Sequence, residues 1–424
     1  MSSDVSVCRP AERVTAAGHP VADPVPAPSS PSPIKALFIT SCVRGGGPGW
    51  SLFYLLKHLD RSAVDPTVMI PAAGVLAGRL ESIGVRYRIC PQLPERLYTL
   101  RFARAGRVWY LLSALWNFAD GCRALLALVR LIRAEKFHLI YCNNMLVKPI
   151  GALAGEVTGT PVILHCRNIH DSFLRRTLLV QVARLPAVRR VVCISQAAEG
   201  PYRFSGKTTV VPNGVDLSEY DPERVEGRLR AELGLNGDTV IVGYLGRIVP
   251  WKGIDVLIDA ARIVLRERRG VRFCIVGENP VGATRDLRGE YHRQAVRHGI
   301  ADQVHFLGFR EDVRPYLRDF DLLALPSKAP EPFGRVNIEA MAMAVPVIAT
   351  AHGGPVEIIE DGVDSFLVPP GDAEALAHKI LSVISDPERR RGFGERARKK
   401  ACDRFDAAKV AGRIEGIIRE VARR

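Results

Sequence analysis

The sequence predicts an α/β protein in which two doubly wound, parallel-sheet domains face each other across a cleft. Three observations carry that prediction. The 424 residues exceed one ordinary domain, and two of roughly 180–200 residues are the natural division. Short β-rich apolar runs alternate with amphipathic segments, and such alternation builds right-handed βαβ units and parallel sheets covered on both faces. The alternation runs twice, broken once by the polar, turn-rich "NGVDLSEYDPERVEG" at 213–227.

Residues 1–33 end in "PVADPVPAPSSPSP" and lack an apolar segment, so they are expected to form a disordered tail and not a signal peptide. "KALFIT", "PTVMIP", "HLIYC", "PVILHC", "RVVCIS" and "TTVVPNG" read as strands of an N-terminal domain over 34–220. "TVIVGYLG", "RFCIVG", "VHFLGF", "DLLALPS" and "PVIATA" read as strands of a C-terminal domain over 221–405. Among the connecting segments, "GIDVLIDAARIVLRERR" sets apolar residues at helical spacing with charge on the opposite face. Residues 406–424 are expected to form a helix that returns to the N-terminal domain.

With 47% hydrophobic and 25% charged residues, the chain can bury full cores. Its nine cysteines are scattered without a CxxC pair, and Cys193 and Cys274 fall inside apolar runs. That usage suits buried thiols in a reducing cytoplasm. No stretch reaches the roughly 18 uncharged apolar residues of a membrane-spanning helix. The net charge of +14 is one-sided: residues 1–215 hold 26 Lys and Arg against 12 Asp and Glu, and the remainder holds 33 of each. A basic half beside a neutral half implies two different ligands.

Two stretches of the second half could do chemistry. In "GYLGRIVPWKGID" a strand ends at Leu245, and Arg247 and Lys252 follow before the next helix, where two cations suit a diphosphate. In "EPFGRVNIEAMAMAVPVIAT", Glu331 precedes Pro332, Phe333-Gly334 makes a turn, and a helix begins near Arg335. The free backbone N–H groups of that helix can hold a phosphate or sugar hydroxyls. Glu339, one turn in, can accept from a ribose diol and Glu331 from hexose hydroxyls. Offsetting the helix dipole is the plainer role for the same two acids. In the first half, "TSCVRGGGPGWSLFYLL" offers Gly45, Gly46 and Gly47 for a close approach to a diphosphate from the facing domain.

"EPFGRVNIE" resembles the E-x7-E signature of retaining GT-B glycosyltransferases, family 4, and "GRIVPWKG" resembles their phosphate clamp. "VVPNGVDLSEY", "IVGEN", "VHFLGF", "LPSKAPEPFG" and "GGPVEIIEDGVDSFLVPPGD" match further landmarks in order, over residues 34–405. The resemblance implies a GT-B enzyme that moves a hexose from a nucleotide-diphospho sugar to a glycan or lipid-linked acceptor with retention. It implies that Arg247 and Lys252 neutralise the diphosphate and that Glu339 holds the ribose. Glu331 and the backbone at Phe333, Gly334, Arg335 and Val336 would hold the donor sugar, with Gly46 and Gly47 opposite. In "PVILHCRNIHD" the family's active-site histidine falls nearest Arg167, flanked by His165 and His170. His165 is the favoured catalytic candidate and Arg167 its competitor.

No cofactor or divalent metal is expected: the cations replace a metal, and Asp319-Phe320-Asp321 reads as a helix-to-strand turn and not as metal ligands. His165, His170 and Asp171 lack a matching metal-site partner. An epimerase or a phosphorylase is the rival on the same fold. A nucleic-acid binder is the reading that pI ≈ 9.6 invites, but no RNP, KH or helix-turn-helix pattern accompanies it. Arg101, Arg104, Arg107, Trp109 and Trp116 are instead expected to rest on an anionic membrane surface. That would make the protein cytoplasmic and peripheral on the inner face, in bacterial polysaccharide or glycolipid biosynthesis.

Overall fold

A computed structural model describes residues 32–43, 46–94, 107–169, 172–280 and 283–423. The first sheet contains β1 (Ile34–Ile39), β2 (Val64–Ile70), β3 (Arg86–Ile89), β4 (Leu139–Cys142), β5 (Val162–Cys166), β6 (Val188–Cys193) and β7 (Thr208–Val210). Its strands are all parallel, in spatial order 3-2-1-4-5-6-7. The second contains β8 (Val240–Leu245), β9 (Val271–Val276), β10 (Val304–Gly308), β11 (Leu322–Leu325), β12 (Val347–Thr350) and β13 (Phe366–Val368). These are parallel too, in order 10-9-8-11-12-13. Two Rossmann-like domains result. Each order reverses once, between β1 and β4 and between β8 and β11, and open α/β sheets bind ligands beyond the strand ends at such points.

Strand β1 shows why the apolar runs are continuous. Ala36 and Phe38 pack on one face of the sheet with Leu52, Val68 and Leu80. Leu37 and Ile39 pack on the other with Leu128, Ile132 and Leu164. Both faces are covered, so from Ala36 to Ile39 neither parity of the strand carries a polar residue, and only Lys35 at its exposed start is charged.

After Phe405 the chain crosses back, and helix Ala407–Ala422 lays Val410, Ile414, Ile418 and Val421 on the first domain beside Phe38 and Val192. Two backbone segments therefore join the domains. They are tied together: Val215 N–H donates to Phe405 O at 2.8 Å, and Ala407 N–H donates to Val215 O at 2.9 Å. Next to this crossing Asp216 is buried against Lys57 Nζ (2.7 Å) and His58 Nε2 (2.9 Å). Burial pushes its carboxyl up, but hydrogen bonds from His58, Lys57 and Ser218 prevail and hold it well below the usual carboxylate range.

Among the described residues no helix is long and apolar enough to cross a membrane. Arg101 and Arg104 lie outside the described residues. Helix Arg107–Glu135 is described as backbone over 107–118, so the side chains of Arg107, Trp109 and Trp116 also lie outside.

Candidate active site

Beyond β8 the chain makes one tight turn at Pro250–Lys252 and enters helix Ile254–Glu267. Gly253 between them has φ 71°, and a Cβ there would lie 1.9 Å from Pro326 O. Only glycine permits that approach. It delivers Lys252 Nζ onto Glu331 Oε1 as an ion pair. Glu331 also accepts from Ser327 Oγ at 2.7 Å. The Glu331 backbone bridges to Gly353, which has φ 77° and whose Cβ would meet Glu331 O at 2.3 Å. Two glycines thus frame the loop that carries the first glutamate.

The following helix spans Arg335–Ala342, and the turn at Phe333-Gly334 with the helix's first residues, Arg335 to Asn337, lines the cleft. Arg335 Nη2 pairs with Glu339 Oε1 at 2.5 Å, one turn apart on the same helix. Asn337 is 1% exposed and lines the cleft, yet neither of its amide atoms has a partner among the described residues. Arg247 is exposed, is not among the residues that line the cleft, and makes no ion pair among the described residues.

Across the cleft, helix Gly47–Lys57 presents its N-terminus. A Cβ on Gly46 or Gly47 would meet nothing within 4 Å, so both glycines border open space; Gly45 lies outside the described residues. Arg335 Nη1 reaches Gly47 O at 3.4 Å. Ser195 Oγ donates to Pro332 O, and Glu357 accepts from the N–H groups of Gln196 (2.8 Å) and Ala197 (3.0 Å). The domains stand nearly closed. The cleft cavity measures ≈ 170 Å³, below the roughly 300–1,000 Å³ of small-molecule sites. Two larger hollows, ≈ 510 and ≈ 490 Å³, open on the C-terminal domain near His292 and Tyr316. The second carries an ion pair of its own, Arg310–Glu232 at 2.5 Å, but both lie away from the strand ends at which the two domains meet.

The placement of His165 differs from the expectation. It is 4% exposed and lines a small cavity of ≈ 20 Å³ under Ala407, Val410 and Ile414, which shares Ser51, Arg167 and Asn213 with the cleft. Its Nδ1 lies 2.5 Å from the Tyr141 hydroxyl and 3.1 Å from Arg167 Nη2. Guanidinium N–H groups can only donate, so Nδ1 accepts and the ring is neutral with its proton on Nε2. Burial first, then the charges of Arg167 and Lys148, hold its pKa well below the usual value. His165 positions Arg167, and Arg167 is the residue that lines the cleft. His170 and Asp171 lie outside the described residues.

Asp319 and Asp321 are structural: Asp319 accepts from Arg230 N–H at 3.1 Å, and Asp321 pairs with Arg230 (3.0 Å) and Arg390 (2.9 Å). Among the described residues no three His, Cys, Asp or Glu side chains gather as metal ligands. Sequence reasoning missed Asn337, Ser327 and Asn213. Asn337 carried the one usable signal, a polar residue on the buried face of the "GRVNIEAMA" helix.

This arrangement, two facing Rossmann-like domains with paired cations and carboxylates at the second switch point, is that of a GT-B protein. Residues 225–400 match Glycosyl transferases group 1, and residues 45–219 match Glycosyltransferase Family 4. The D-inositol 3-phosphate glycosyltransferase of Salinispora arenicola is 33% identical over 66% of this chain and 68% of its own length. That of Streptomyces avermitilis is 35% identical over 66% and 65%. Against curated relatives of this description the matched stretch spans 41% to 68% of their length. HepE of Anabaena, solved in complex with UDP and glucose, superposes with a TM-score of 0.75 at 29% identity, over 91% of this chain and 99% of that one. The chain belongs to glycosyltransferase family 4.

Proposed function

We propose that the protein is a retaining glycosyltransferase moving a hexose from a nucleotide-diphospho sugar to a glycan or lipid-linked acceptor, in bacterial polysaccharide or glycolipid biosynthesis. One observation carries the reading: Lys252–Glu331 and Arg335–Glu339 meet at one strand end and one helix start. Carboxylates can read hydroxyls there while cations and backbone N–H groups read phosphate. HepE was solved with UDP and glucose, so a UDP-sugar is the first donor to test.

In this reading Arg247, Lys252 and the Arg335 helix start stabilise charge developing on the departing nucleoside diphosphate. The acceptor hydroxyl attacks from the face the diphosphate leaves, and a phosphate oxygen of the leaving group takes its proton. No divalent metal is required. Turnover with excess EDTA is expected to match turnover with added magnesium; strict metal dependence would sink that part.

Calorimetry against UDP, GDP and ADP, followed by turnover of the matching sugar nucleotides, tests the whole. Glu339→Gln is expected to weaken nucleotide binding by roughly 1.5–3 kcal/mol, the worth of a hydrogen bond to a charged group, with melting unchanged in cooperativity. Binding of no nucleoside diphosphate would reject the transferase.

Support for a lipid-linked acceptor comes from the charge excess of the first domain and from helix Phe173–Arg184, where Phe173 and Leu178 stand exposed beside Arg175 and Arg176. Aromatic and basic groups together favour an anionic interface. Co-sedimentation with anionic liposomes that weakens with salt is expected; no binding at low salt favours a soluble acceptor.

A further inference from the structure

We propose that Arg167 is the receptor for an oxyanion carried by one of the two substrate sugars, as distinct from the diphosphate of the nucleotide. This rests on the transferase reading above. Three observations meet at the residue.

Arg167 is a buried cation in neutral company. It is 6% exposed and donates to Asn143 Oδ1 (3.1 Å), Asn213 Oδ1 (2.8 Å) and His165 Nδ1 (3.1 Å). No described carboxylate pairs with it, whereas Lys252 and Arg335 in the same cleft each have a glutamate. Buried charges are normally paired. Burial pulls the guanidinium down to about 10, and the nearby Arg335 adds to that pull. The cation is retained despite this penalty, which an incoming anion would relieve.

Its fork is also incompletely used. Guanidinium offers five N–H groups, and the three contacts above leave two, on a residue that lines the cleft. Planar, paired donors are the geometry that carboxylate and phosphate groups match.

The surroundings identify the rest of the ligand. Arg167 follows β5, and Asn143 and Asn144 follow β4, beside Thr40 and Ser41 at the end of β1. This is the switch point of the first domain. Asn143 Nδ2 donates to Pro48 O (3.2 Å), Asn144 Nδ2 donates to Ser41 Oγ (2.7 Å), and buried Asn144 Oδ1 has no partner among the described residues. Amides and hydroxyls suit sugar hydroxyls, and the single cation suits a single oxyanion. Lys252 and Arg247, which suit the diphosphate, come from the other domain.

The test uses the full chain saturated with UDP, which fills the diphosphate subsite, titrated calorimetrically with inorganic phosphate and with glucuronate. UDP-glucuronate and UDP-glucose are compared on the free protein. Phosphate or glucuronate binding to the UDP complex places the oxyanion on the acceptor. Tighter binding of UDP-glucuronate than UDP-glucose, by roughly tenfold or more as for a bidentate charged contact, places it on the donor sugar. In either case Asn213→Asp, which sets a carboxylate against Nη1 at unchanged size, and Arg167→Gln both erase the effect and spare UDP affinity. No oxyanion effect by either route overturns the proposal. So does an equal loss of UDP affinity in Asn213→Asp, which would put Arg167 on the diphosphate. A chain that binds none of UDP, GDP and ADP refutes the transferase reading instead. Phosphate titration of free wild type against Asn213→Asp then decides the anion site by itself.

Discussion

Lys252→Ala is expected to lower turnover by about 100- to 1,000-fold, roughly 2.7–4 kcal/mol of transition-state stabilisation, the cost of removing one preorganised partner of developing charge. Gly253 and the Pro326 carbonyl hold the lysine in place, so little reorganisation remains for the reaction itself. The same substitution strips Glu331 of its ion-pair partner, and Ser327 Oγ alone cannot neutralise a carboxylate that is 8% exposed. Some loss of melting temperature is therefore expected as well. Arg247→Ala separates the two effects, because Arg247 is exposed and makes no described ion pair. It should reduce turnover and leave melting alone. Wild-type turnover in both variants would reduce Lys252–Glu331 to a structural pair and remove Arg247 from the chemistry.

Deleting residues 407–424 is expected to abolish the cooperative folding of the first domain. The helix buries Val410, Ile414, Ile418 and Val421 against the sheet, none more than 9% exposed. At roughly 1.5–3 kcal/mol for each such side chain, the loss sums to about 6–12 kcal/mol, an upper bound because unfolded chains already bury part of this surface. A whole domain is stable by about 5–15 kcal/mol. The milder Ile418→Ala should cost about 2–5 kcal/mol by leaving a cavity, measurable by urea titration. A truncated chain that melts like the full one would show that the helix merely rests on the domain.

The second domain's side of the cleft was legible because one loop and one helix carry it. Glu331 and Glu339 are contiguous enough for local rules to place both at a helix start, and Lys252 follows its strand directly. The first domain's side depends on chain segments far apart. Arg167 and Asn213 come from different strand ends, 46 residues apart, and no local pattern announces their hydrogen bond. His165 and Arg167 share a parity that would put them on one face of a strand. They do touch, Arg167 Nη2 lying 3.1 Å from His165 Nδ1, but His165 stays under helix Ala407–Ala422 while the longer Arg167 reaches past it to the cleft. The covering helix arrives from the far end of the chain. Strands β3 and β13 escaped notice for simpler reasons. "RYRI" is a largely exposed edge without an apolar run, and "FLV" has three residues, too few for a period.

The returning helix also sets an order of events in synthesis. Domains usually fold as they leave the ribosome, the first one first. Here the sheet face of Phe38, Tyr141, Ile163 and Val192 has emerged once Tyr220 is made, yet its cover begins only at Ala407. At about 5–20 residues per second, that interval lasts roughly 10–40 s. Throughout it a nascent chain lacks the part of that apolar cover that Val410, Ile414, Ile418 and Val421 supply, while the second domain is still being translated. The first domain to be made is the last to be finished.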